Sequence, residues 1–114
     1  MYRKFATLAL LAAVATFLVA GAPAQPEDTA FELTIRNHRF EPAVLEIPKD
    51  TRVKLRVTNA DASPEEFESR SLNREKLIPQ GTTATIYVGP LAPGTYRFFG
   101  EFHEDTAQGR IVVK

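Results

Sequence analysis

Polar and apolar residues alternate with a period of two along most of this chain. Phe31, Leu33 and Ile35 alternate with Glu32, Thr34 and Arg36, and Val53, Leu55 and Val57 with Arg52, Lys54 and Arg56. Leu45 and Ile47 flank Glu46, and Ala84, Ile86 and Val88 alternate with Thr83, Thr85 and Tyr87. A longer run places Tyr96, Phe98, Gly100 and Phe102 on one side and Arg97, Phe99, Glu101 and His103 on the other, and Ile111 to Val113 closes the chain. A period of two is the signature of strands with one buried face. Turn signals separate the runs: Pro48-Lys49-Asp50, Asn59-Ala60-Asp61, Pro79-Gln80-Gly81, Gly89-Pro90 and Pro93-Gly94. Six or seven short strands spaced by turns predict an antiparallel-rich sandwich or barrel. Residues 70 to 78 lack the alternation and read as a helical turn or an irregular excursion.

The first 24 residues follow a different rule. Arg3 and Lys4 precede an uncharged, mainly apolar run from Phe5 to Ala20, and Ala22-Pro23-Ala24 offers small residues for cleavage. This is the pattern of a secretory signal peptide. The run is shorter than the ~20 residues of a spanning helix. Residues 1–24 are therefore expected to be removed on export to the periplasm or beyond. Residues 25–30 read as a flexible leader, and 31–114 as one domain.

Composition narrows the chemistry. The 114 residues carry no formal net charge, and loss of Arg3 and Lys4 leaves the exported part mildly acidic, at about −2. No basic footprint marks nucleic acid as a partner. The chain has no Cys, and its one Met is Met1. Disulfides, thiolate metal sites and cysteine nucleophiles are thereby excluded. A metal must be held by His, carboxylate or backbone oxygen. No Ser/His/Asp pattern marks a hydrolase.

Two stretches carry candidate ligands. In Glu65-Glu66-Phe67-Glu68-Ser69, an extended backbone turns Glu66 and Glu68 to one face and Phe67 to the other. In Gly100-Glu101-Phe102-His103-Glu104-Asp105, the same arithmetic pairs Glu101 with His103 and turns Phe102 inward. The Phe98-Phe99 pair puts one ring on each face of its strand, and both rings are expected in packing. Arg52, Lys54 and Arg56 make a basic stripe that reads as a solvated outer face.

The segment Pro93-Gly94-Thr95-Tyr96-Arg97-Phe98-Phe99-Gly100-Glu101-Phe102-His103, followed by Gly109-Arg110-Ile111-Val112-Val113, resembles the last hairpin of a cupredoxin. Phe40-Glu41-Pro42, the strand from Arg52 to Val57, and Thr58-Asn59 with Ser63-Pro64 extend the resemblance over nearly all of 31–114. It implies an all-β, cupredoxin-like Greek-key β-sandwich of about seven strands with a metal at one end. The departures are specific. Gly100 stands where a blue copper protein has its ligand Cys, and Glu65 where the first ligand His would stand after Pro64. A thiolate-bound type 1 copper is excluded.

His38-Arg39-Phe40-Glu41-Pro42, Glu66-Phe67-Glu68, Arg74 to Pro79 and Gly100 to His103 resemble a cupredoxin-like group of bacterial periplasmic iron uptake that partners high-affinity iron permeases. That resemblance implies a metal centre from His38, Glu66, Glu68, Glu101 and His103, holding type 2 copper, iron or both. The expected function is exported metal binding in the service of iron uptake. A permease or another periplasmic iron-uptake protein is the expected partner, and a homodimer could share the site. Two alternatives stand beside it: a type 2 copper ferroxidase or electron carrier, and a metal-free interaction module for which Gly100 speaks.

Overall fold

The computed structural model describes residues 29–114. The expected signal peptide and most of the expected leader lie outside the described residues. Nine strands form: β1 (Thr29–Arg36), β2 (Arg39–Glu41), β3 (Val44–Ile47), β4 (Val53–Asn59), β5 (Glu65–Ser69), β6 (Arg74–Ile78), β7 (Thr83–Val88), β8 (Gly94–Gly100) and β9 (Gln108–Val113). One sheet has the order β2-β1-β4-β7 and the other β3-β9-β8-β5-β6. Each contains one parallel pair, β1 with β4 and β3 with β9. The fold is thus an all-β sandwich of two mixed sheets.

Three local expectations are corrected. Thr29 and Ala30 are paired with Val53 and Lys54 in β1 and do not belong to a leader. Residues 74–78 form β6, which pairs antiparallel with β5. Its burial pattern is four exposed residues and then Ile78, so no alternation was available to read. The long aromatic run ends as a strand at Gly100, and Glu101–His103 form one 3-10 turn.

Inward residues of both sheets build the core. Leu33, Ile35, Leu55 and Val57 come from one sheet, and Phe67, Ile78, Phe98 and Ile111 from the other. Phe40, Phe67 and Phe98 form an aromatic cluster: Phe40 meets Phe98 edge-on at 4.9 Å and Phe67 at 6.1 Å, and Phe67 stacks on Phe98 at 5.1 Å. Such pairs contribute about 0.5–1.5 kcal/mol each beyond area burial. Phe99 is on the outer face, with the Arg70 guanidinium over its ring at 5.6 Å, so only Phe98 of the pair is in the core.

Parallel β1 and β4 end on the same side of the sandwich, and β5 begins there opposite the end of β8. The β1–β2 turn, the start of β5 and the turn after β8 therefore meet at one end. Truncation of Phe67, which is wholly buried, is expected to cost about 3–5 kcal/mol. Phe99→Ala, on the outer face, is expected to cost less than half of that. Urea unfolding of the two variants measures both.

A buried carboxylate and two imidazoles at one end of the sandwich

The β1–β2 turn is a two-residue hairpin whose central residues, Asn37 and His38, have φ of 52° and 57°. Two positive φ values are the geometry of the tight turn that matches strand twist, and Asn and His tolerate it better than most residues. Asp61 fixes the turn. Its two carboxylate oxygens accept the backbone N–H of Asn37 at 2.8 Å and of His38 at 2.9 Å. Burial pushes the Asp61 carboxyl up, but these two donors and the nearby imidazoles of His38 and His103 outweigh it, and the net direction is down. Asp61 is placed in turn by fully buried Asn59, whose Oδ1 accepts the Asp61 N–H at 3.0 Å. The Asn59 side-chain amide donates to the carbonyls of Ser63 and Ile78.

Glu65 is the first residue of β5 and is 1% exposed. Its Oε1 accepts the backbone N–H of Glu66 and of Phe102, both at 2.9 Å. Its Oε2 meets His103 Nδ1 at 2.5 Å. A ring nitrogen and a carboxylate oxygen are both metal ligands, so an ion bound by both would take the place of the proton between them. His38 stacks on His103 with ring centroids 3.6 Å apart. One ligand atom from each of His38, Glu65 and His103 lies within 4.8 Å of the others. The two imidazoles are partly exposed, at 44% and 28%, so the buried carboxylate is reached from solvent past the rings.

Gly100 explains the room for Glu65. A Cβ at this position would lie 2.6 Å from the Glu65 carboxyl carbon and 2.7 Å from the Ala107 Cβ. The Glu65 carboxylate therefore occupies the space that a side chain at residue 100 would need. The residues at 65 and 100 are therefore spatially coupled: the acid at 65 fills volume that a side chain at 100 would need. The donor set that remains, two imidazoles and a carboxylate, fits a borderline N/O-ligated ion such as Cu(II), Fe or Zn(II), and not a thiolate site.

The five expected ligands fall into two groups. His38 and His103 join Glu65. Glu66, Glu68 and Glu101 join Glu75, again with one oxygen of each within 4.8 Å of the others. This acidic group is on the outer face of the five-stranded sheet, where Glu68 is the register partner of Glu75. Glu101 and His103 do not share a strand face, because the 3-10 turn rotates them apart. For the same reason Phe102 points outward, at 48% exposed. Glu65 was legible in the sequence: two residues before Phe67 on a strand, it must share the core-facing side. Glu75 and Asp61 carried no such signal, since their proximity depends on β5–β6 pairing and on the β4–β5 loop.

A model of the cupredoxin-like domain matches residues 8–113. The chain belongs to the cupredoxin-like domain family. An uncharacterized protein of Rickettsia prowazekii (strain Madrid E) is 42% identical over 108 residues, covering 93% of this chain and 86% of that one. Among solved structures, auracyanin A, a blue copper protein from Chloroflexus aurantiacus, has a TM-score of 0.66 at 16% identity and covers 76% of this chain and 99% of its own. The metal-binding domain of the Streptococcus pneumoniae D39 Cu(I)-exporting P-type ATPase CopA has a TM-score of 0.67 at 15% identity, covering 75% and 84%. A purple cupredoxin from Nitrosopumilus maritimus has a TM-score of 0.57 at 22% identity, covering 73% and 98%. These likenesses establish the fold.

Two predictions follow from the site. Gly100→Ala forces Glu65 or Ala107 to move and is expected to cost about 1–3 kcal/mol, read by chemical denaturation. In the acidic group, the hydrogen bond with Glu75, then burial, then Glu101 push the Glu66 carboxyl up to about 7. Burial and the same two neighbours also raise Glu68. A carboxyl raised on folding stabilises the fold fully below its ordinary value of 4.5, and that stabilisation is lost as pH rises through about 7. The melting temperature of Glu66→Gln relative to the parent should therefore increase between pH 5 and pH 8. A difference that stays flat across this range, in calorimetry, would contradict the shared-proton arrangement.

Proposed function

We propose that this cupredoxin-like protein is exported to the periplasm and binds a copper or iron ion through His38, Glu65 and His103. The observation that carries the proposal is the convergence of two imidazoles on a buried, fully hydrogen-bonded carboxylate. Bound there, the metal would supply reversible one-electron chemistry without a thiolate. Attraction between a bound cation and the Glu65 carboxylate would be strong in this buried, low-dielectric setting. The Glu66 and Phe102 N–H groups fix its orientation before any ion arrives. His38 is held on its rigid turn by Asp61, an outer partner of the kind that orients metal-ligating groups.

Supply of iron to a membrane permease is the physiological role this reading favours. The acidic group of Glu66, Glu68, Glu75 and Glu101, beside the imidazole site along β5, would favour cations near the entrance. Turnover as a ferroxidase is the second reading. It differs from binding alone in consuming oxygen when ferrous iron is added.

The test uses the protein purified from the periplasmic fraction, where mass spectrometry should read a chain that begins at Gln25. Cu(II) titration followed by electron paramagnetic resonance should give one type 2 signal with nitrogen and oxygen ligands at one ion per chain. His103→Ala and Glu65→Gln should each weaken binding at least 10-fold, while Glu68→Gln changes it less than 3-fold. Affinity should fall as pH is lowered, because the ligands take up protons. Saturable Cu(II) and Fe(II) binding that survives both imidazole-site variants would overturn the assignment. A chain retained in the cytoplasm at full length would overturn the export.

A further inference from the structure

The outer face of the five-stranded sheet changes sign across Phe99. On one side are Glu66, Glu68 and Glu75, with Glu68 the register partner of Phe99. On the other side Arg97 and Arg110 are direct cross-strand partners on β8 and β9. Like charges directly opposite each other on adjacent strands are destabilising. Arg36, Arg56 and Arg74 all have oxygen partners. Arg97 and Arg110 have no hydrogen-bond or ion-pair partner for their guanidinium groups among the described residues. Two exposed, unneutralised cations held side by side by the sheet ladder make a preformed anion-binding feature.

They also border a cleft. A cavity of about 760 Å³ is walled by Arg70, Ser71, Arg97, Phe99, Glu104 and Gln108. A second, smaller cavity of about 120 Å³ shares Arg97, Gln108 and Gly109 with it and is also lined by Arg110. The cleft is built, not incidental. The Ser69 hydroxyl donates to the Arg97 carbonyl at 2.6 Å and accepts the Leu72 N–H, so the 70–73 turn is pinned as one wall. The Gln108 side chain donates to the Glu104 carbonyl and holds the other. Arg70 is placed over the Phe99 ring.

We propose that this cleft binds a compact organic anion with two or more carboxylates. Its volume falls in the range of ligand pockets, roughly 300–1,000 Å³. Guanidinium groups pair bidentately with carboxylates. The Phe99 ring gives the carbon skeleton an apolar surface that inorganic phosphate could not use. An extended acidic polypeptide is disfavoured, because beyond Phe99 it would run onto Glu68 and its acidic neighbours. A compact ligand stays within the arginine half. The proposal does not depend on the metal site.

Isothermal titration of the metal-stripped protein with citrate tests it, with inorganic phosphate and hexaglutamate as comparators. Citrate should bind saturably at one site and at least 10-fold more tightly than phosphate. Arg97→Gln/Arg110→Gln should weaken it at least 10-fold, and Arg70→Gln at least 3-fold. His103→Ala should leave it unchanged. The arginine double variant should melt no lower than the parent, since it removes a repulsive pair. Several results overturn the proposal: no saturable citrate binding, phosphate equal to citrate, hexaglutamate tighter than citrate, or both arginine variants binding as the parent does.

Discussion

The end of this sandwich is organised around one buried carboxylate. A carboxyl group at 1% exposure is costly to bury unless its oxygens are hydrogen-bonded. Glu65 meets that cost with two backbone N–H donors and one imidazole. Those three contacts join the start of β5 to the turn after β8. They also dictate what that turn must do. The Phe102 N–H has to point inward at Glu65, so its side chain points out, and His103 swings back over the carboxylate. A strand continuing through Glu101 to His103 could not achieve this. The 3-10 turn, closed by the Ala107 N–H on the His103 carbonyl and by the Gly100 N–H on the Ala107 carbonyl, is the backbone's answer.

The same carboxylate accounts for the chemistry the site can offer. A side chain at residue 100 would enter the space between the start of β5 and Ala107. Here that volume is filled by Glu65, and any side chain at 100 would collide with it. The donor set is consequently harder and suits ions that prefer oxygen and imidazole nitrogen. The substitution is local. The ladders around it, including the parallel pairs β1–β4 and β3–β9, are continuous.

Charge on the outer face of the five-stranded sheet is segregated along the same strands. The acidic half is adjacent to the imidazole site, and the arginine half begins on the far side of Phe99. Both halves hold like charges at close range, and the acidic half stabilises the fold only while the Glu66 carboxyl keeps its proton. Repulsion of this kind is tolerable on a solvated surface and useful where an ion of opposite sign is to be held. The cost falls on stability in the neutral pH range, where the Glu66 carboxyl gives up its proton.

The period-two alternation determined the fold class, because one buried face per strand is a local property that the order of residues records directly. It fixed Phe67, Phe98, Leu55 and Ile111 as core and Glu66 and Glu68 as outward. It also contained Glu65, whose spacing from Phe67 assigns it inward. Three things were decided only in three dimensions. Strand β6 is exposed at four of its five residues, so its existence rests on pairing with β5 and not on its own pattern. The 3-10 turn broke the face arithmetic for Glu101, Phe102 and His103, since a period of two applies only while the backbone stays extended. The division of the five candidate ligands between two groups depended on which loops share an end of the sandwich. Partners 27 to 65 residues apart are brought together by sheet register, and no local pattern encodes that distance.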